Sequence, residues 1–269
     1  MSSVAQYKLG KRAAIYDPRT LQLGKFVSKL RLDPPPASRL WSPAVKKRWQ
    51  MFRNDEIGDC GPVGVAHQHM CWSANSDGHD RMYMPTIEEV IKVYGDVGGY
   101  VEGKPWTDQG VVMLDLMKYW RIHGFAGRRI GAYASLYQVG HAIDRKLFAA
   151  AVNIFGGVAI GLRLPIGAQR YEVWRAPKRQ FRFGRWAPNS WGGHYVPVVD
   201  YDQELLTCIT WGVEKKLSWN FLEAYCDEAY VQISEDWTND AGKAPNGFDM
   251  AGLNSALQLI TGGNPKFKA

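Results

Sequence analysis

The run Arg53-Asn54-Asp55-Glu56-Ile57-Gly58-Asp59-Cys60-Gly61-Pro62, continued by the apolar stretch Val63-Gly64-Val65-Ala66, decides how this 269-residue chain is read. A glycine-bounded turn delivers Cys60 into a segment whose pattern predicts a helix from about residue 61 to residue 74, with Asp59 as its cap. A cysteine at a helix start faces unpaired backbone N–H groups and the positive end of the helix dipole. That setting favours the thiolate, which is the reactive species. A nucleophilic cysteine also needs a base, and histidine titrates in the right range.

Six histidines compete for that role. His67 lies seven residues beyond Cys60 on the same expected helix. Two helical turns are ~10 Å, too far for proton transfer, so His67 reads as packing. His69 points to another face, and His79 sits in the polar loop 76–80. His123 and His141 fall at helix ends or faces without partners nearby in sequence. His194 differs, because it follows Trp191-Gly192-Gly193 and opens the strand pattern Tyr195-Val196-Pro197-Val198-Val199. A sheet would hold its ring while the glycines leave an open approach.

Around this pair the pattern divides by halves. Thr86-Ile87-Glu88-Glu89 is a capping box opening a helix to about Tyr94, and residues 107–123 carry apolar groups at helical spacing. Ser135 is expected to open a further helix through Leu147, and residues 151–161 to form a buried strand. Residues 195–199 and 205–211 read as a hairpin, 219–225 as a short helix, and 229–233 as a last strand. The expectation is an α+β fold, a helical N-terminal half packed on a C-terminal antiparallel sheet. Residues 1–53, with Asp33-Pro34-Pro35-Pro36, read as an arm, 54–238 as the domain, and 239–269 as a tail with a helix near 250–260.

Composition excludes several classes. No apolar run approaches the length of a membrane span, and the N-terminus lacks a secretory pattern, so synthesis in a cytoplasm without a signal peptide is expected. Four scattered cysteines without a Cys-x-x-Cys pair argue against a disulfide scaffold or a structural zinc site, and no cofactor is expected. Eleven tryptophans point to aromatic packing. The net charge of +7 is segregated: 12 basic against two acidic residues in 1–53, and six against one in 170–186, leave the remainder acidic. Such segregation suits docking to an acidic partner surface. The basic-aromatic loop 164–193 leads to His194, so Arg175, Arg179, Arg182 and Trp186, with Trp191 and Trp211, are candidates to contact a peptide, a cell-wall polymer or a partner. No nucleic-acid motif supports a role on DNA or RNA.

The Asp59-Cys60-Gly61-Pro62 segment, the Gly193-His194 element and Trp211-Gly212 together resemble papain-like cysteine peptidases. Over its length the chain is similar to uncharacterised papain-fold proteins encoded by phages and prophages, through its Asn-Asp-x-x-Gly-Asp-Cys, Gly-Gly-His-Tyr-Val-Pro and Thr-Trp-Gly elements. The resemblance implies Cys60 as nucleophile and His194 as base. It implies Asn54 in the oxyanion position, where the family has Gln, and Thr210 in the orienting position, where the family has Asn or Asp. The implied function is hydrolysis of peptide or amide bonds without a cofactor. The alternative is a structural virion component, capsid- or tail-associated, using the fold without turnover.

Overall fold

Helices gather in the first half of the chain and strands in the second. The computed structural model describes residues 7–27, 34–76, 82–138, 140, 142–177, 184–239, 241–249 and 253. In chain order the elements are α1 (Leu23–Val27), β1 (Arg39–Leu40), α2 (Cys60–Asn75), α3 (Ile87–Gly98), α4 (Met113–Ile122), β2 (Ala132–Ser135) and α5 (Arg145–Phe155). Then follow β3 (Val158–Leu164), β4 (Val173–Trp174), β5 (Gly192–Tyr201), β6 (Leu205–Thr210), β7 (Val213–Ser218), α6 (Trp219–Tyr225) and β8 (Cys226–Ile233). The sheet runs β2-β8-β3-β5-β6-β7-β4, with β1 added to β5. Its pairings are antiparallel except β4 with β7, so the sheet is mixed at one edge rather than wholly antiparallel.

α2 is the axis of the molecule. Its residues from Cys60 to Ser73 are all buried, as expected of a helix enclosed on every side. It lies on β5 with no room to spare: a Cβ on Gly64 would come within 2.2 Å of the Tyr195 ring. The capping box at Thr86 forms as expected and starts α3. The tryptophans are largely packing, as read. Three of them donate their indole N–H to the last carbonyls of α5: Trp41 to Val152, Trp237 to Ile154 and Trp72 to Phe155. Carbonyls at a helix end lack intrahelical partners; the Trp237 and Trp72 indoles satisfy those of Ile154 and Phe155 inside the core, and Trp41 adds a second donor to Val152 beside the Gly156 N–H.

Three expectations fail for local reasons. Ser135 ends β2 instead of opening a helix, and its hydroxyl is spent on Tyr137, accepting the N–H and donating to the carbonyl. The cap that starts a helix here is Asp144, which accepts from the N–H groups of Lys146 and Leu147. Residues 151–155 are the last turn of α5 rather than strand, because the alanines at 149–151 favour helix and the break comes at Gly156, with φ 68°. The helix expected from 107 begins only at Met113, after a turn through Gly110 at φ 73°. The expected tail helix at 250–260 lies, apart from Leu253, outside the described residues.

The described parts of the first 53 residues lie against the domain. β1 pairs with β5, and buried Asp200 accepts from the Trp41 N–H, the Ser42 N–H and the Ser42 hydroxyl. Among the described residues no helix is long and apolar enough to cross a membrane.

Candidate active site

Cys60 is the first residue of α2, and His194 is the third residue of β5. The packing of that helix on that strand brings Cys60 against the residue that follows His194: the Tyr195 N–H donates to Cys60 Sγ at 3.4 Å. His194 is fully buried. Its Nε2 lies 2.7 Å from Thr210 Oγ1, while its Nδ1 is buried without a hydrogen-bond partner. The Trp211 ring stacks on the imidazole, with centroids 4.6 Å apart and 13° between planes. Trp211 and Gly212 form the two-residue turn between β6 and β7, both at positive φ (49° and 68°). A tight hairpin turn of this kind normally takes Asn-Gly. A tryptophan held at φ 49° is a strained choice, and the turn places its ring over the histidine.

Asn54 is buried beside this pair, and its Nδ2 donates to Asp59 Oδ1 at 3.1 Å. Asp59 occupies the cap position of α2 but makes no side-chain bond to the helix N–H groups. Its backbone stands at φ −97°, ψ 17°, outside the extended region that a capping side chain uses. Burial raises its carboxyl well above the usual range, with the Asn54 hydrogen bond only partly opposing. The expected helix cap is thus a buried acid turned toward Asn54.

The electrostatics also depart from expectation. Burial pushes the Cys60 thiol up to about 11, against the lowering effect of the Tyr195 and Gly10 N–H groups. Burial brings His194 down to about 3. Both groups are therefore neutral here, and the helix dipole does not hold a thiolate against that desolvation. The chain's own N-terminal segment lies against the strand and turn that carry His194 and Trp211. The Lys11 N–H donates to the Gly193 carbonyl at 3.0 Å, the Val111 N–H to the Gly10 carbonyl at 2.8 Å, and the Arg12 N–H to the Val111 carbonyl at 2.9 Å. Tyr7 stacks on Trp211 at 4.5 Å, and Lys8 reaches Asp108 at 2.6 Å. A groove of about 610 Å³ continues alongside, lined by this segment with Gln169, Ser190 and Trp191.

Of the expected contact residues, Trp191 and Trp211 are stacked on each other beside His194. Trp186 packs on Tyr171, Arg175 is exposed, and Arg179 and Arg182 lie outside the described residues. His67 and His69 are buried packing groups, His67 bonded to the Gln50 carbonyl and His69 facing Asp236. Sequence reading missed Gly10, Lys11, Asp227 and Glu228. The available signal was the acid pair at the start of an otherwise apolar strand, since buried carboxylates require a cation. Among the described residues no group of three His, Cys, Asp or Glu side chains is placed to hold a metal ion.

No family model matches the chain, and no curated protein matches it in sequence. Solved structures do. Xylellain, a cysteine protease from Xylella fastidiosa, superposes with a TM-score of 0.62 at 12% identity, over 87% of this chain and 98% of that one. The ragweed Amb a 11 cysteine protease in its proform gives 0.51 at 14% identity, over 80% and 70%. The cysteine protease and lectin-like domains of Cwp84, a surface layer associated protein of Clostridium difficile, give 0.54 at 9% identity, over 87% and 57%. At these identities the likeness is one of fold, and the α+β fold is papain-like.

Proposed function

We propose that the chain is a papain-like cysteine hydrolase that cleaves peptide or amide bonds, with Cys60 as nucleophile and His194 as base. The observation that carries this is the division of the His194 ring: Nε2 is engaged by Thr210, and Nδ1, buried without a hydrogen-bond partner, is free to take a proton. In the open cleft, Nδ1 takes the Sγ proton and the thiolate attacks the acyl carbonyl. The Cys60 N–H, unpaired at the helix start, and Asn54 Nδ2 donate to the resulting oxyanion. His194 returns its proton to the leaving amine, and water then releases the acyl group from sulfur.

Mass-spectrometric mapping of alkylation tests the reading on a chain whose N-terminal segment is displaced by Gly10→Val. Cys60 should label far faster than Cys71, Cys208 and Cys226, and peptide hydrolysis should vanish in Cys60→Ala. Uniform slow labelling of all four thiols would sink the proposal. The closed cleft also favours a second reading, in which a phage particle uses this fold structurally and docks it through the basic arm. That reading expects Cys60 to stay inert even after displacement of the segment, and Cys60→Ala to leave particle assembly intact.

A further inference from the structure

Lys11 is the buried cation that the acid pair requires. Its side chain is 1% exposed, and its Nζ lies 3.0 Å from Asp227 Oδ1 and 3.1 Å from Glu228 Oε1. Burial alone would lower its pKa, but the charges of Glu228 and Asp227 outweigh that and raise it, so the ammonium stays charged. The pocket is shaped for the stem as well as the head. A Cβ on Gly161 would lie 2.2 Å from Lys11 Cε, and one on Gly193 would lie 2.2 Å from the Lys11 carbonyl oxygen. Glycines at both positions leave a slot for a long unbranched side chain, entered from an extended backbone.

The backbone in that slot is held through main-chain groups of Gly193 and Val111, which would accept any extended peptide. Selectivity must then come from side-chain pockets, and the Asp227–Glu228 pocket lies next to the residue that precedes His194. A buried ion pair is a poor way to fasten an arm, since apolar residues of similar volume usually do as well or better. Retaining one at the cleft makes sense where the cleft itself needs to read a cation.

We infer that the pocket closed by Asp227 and Glu228 recognises a lysine or arginine side chain of a bound peptide, and that residues 7–12 occupy it as an internal competitor. The inference rests on the reading of this cleft as a peptide-hydrolysing site. Its consequence is a preference for basic peptides, with the chain's own segment setting how much of the protein is open.

Fluorescence anisotropy on the full chain carrying Gly10→Val and Cys60→Ser tests this without requiring turnover. A Cβ on Gly10 would lie 1.7 Å from the Gly58 carbonyl oxygen, so valine there expels the segment. The probe is the labelled peptide Tyr-Lys-Leu-Gly-Lys-Arg-Ala, the sequence of residues 7–13. Replacing its second lysine by norleucine should weaken binding about 100-fold, because two buried carboxylates lose their cation. Glu228→Gln should shrink that preference. Because the peptides differ while the protein stays the same, the comparison holds even if Glu228→Gln fails to fold. Equal binding of the two peptides, or no binding of the lysine peptide, overturns the inference. A hydrolysis panel on Gly10→Val with Cys60 intact separates the two readings. Lysine-selective binding without cleavage removes the hydrolase and keeps the pocket. Cleavage with no lysine or arginine preference at any position removes the pocket and keeps the hydrolase.

Discussion

On one side of the Gly10–Lys11 peptide, burial encloses an ammonium between two carboxylates; on the other it encloses a thiol and an imidazole. Lys11 stays charged because, against the desolvation of burial, Glu228 and Asp227 lie within 3.1 Å of its Nζ. The second cluster is neutral, with Thr210 offering a hydroxyl to His194 and Cys60 receiving the Tyr195 N–H. Burial thus leaves Lys11 charged and the Cys60 and His194 groups neutral, and what decides is whether a formal opposite charge was enclosed with the group. Removing the N-terminal segment should reverse the asymmetry: the carboxylates lose their cation, while the thiol and imidazole regain water and each other.

The largest effect that could break this comparison is acid sensitivity. His194 has an ordinary pKa near 6.5 and sits at about 3 in the fold, so between those values the unfolded chain binds more protons. Stability is therefore complete above pH 6.5 and is lost as pH falls toward 3, by up to ~5 kcal/mol from this group. His67, brought to about 4 by burial, adds a limb of the same sign. Urea midpoints from pH 7 to pH 4 should fall steeply in the native chain. In Gly10→Val the His194 share should disappear and the His67 share remain. Equal slopes in the two chains would show that the segment is not what dries His194.

Next in size is the reactivity of Cys60. Returning its thiol from about 11 toward an ordinary 8.5 raises the thiolate fraction at pH 7.5 by ~300-fold, so alkylation of Gly10→Val should speed up by at least that factor. A change below tenfold would mean that burial by α2 and β5, and not the N-terminal segment, suppresses ionisation. Asn54→Ala, measured in the same opened background, should lower kcat/KM by ~100-fold if its amide serves the oxyanion. Unchanged kcat/KM, with only a drop in thermal stability, would reduce Asn54 to the partner of Asp59 seen here.

What sequence could reveal follows the same division. The positions of Cys60 at a helix start and His194 near a strand start were legible from local signatures, whereas Thr210 was reached only through the resemblance; their catalytic roles belong to the proposal. The α6 and β5–β6 boundaries were legible for the same reason. Ser135 misled because a serine's cap and its turn look alike until a partner is known, and here Tyr137 was that partner. The protonation state was not legible at all. It depends on Lys11 meeting residues 216 and 217 positions away, and on how deeply Cys60 and His194 are buried, neither of which leaves a local pattern.

The smallest expected effect is the one that sharpens the comparison most. Thr210 is neutral where a carboxylate would hold His194 charged, so its contribution is orientation of the ring more than stabilisation of an imidazolium. Thr210→Val keeps the shape, deletes the hydroxyl and leaves Nε2 without a partner, which should lower hydrolysis about tenfold in the opened chain. Thr210→Asn supplies a carboxamide oxygen to the same nitrogen and should restore most of the rate. Thr210→Asp should do something different. A buried carboxylate beside Nε2 would raise the His194 pKa and move the acid limb of the pH–rate profile upward, importing into this pair the charge partner that Lys11 already has. If the valine and asparagine variants turn over equally, Thr210 does not position the ring. The stack of Trp211 on the imidazole would then be the next orienting contact to test, by Trp211→Phe.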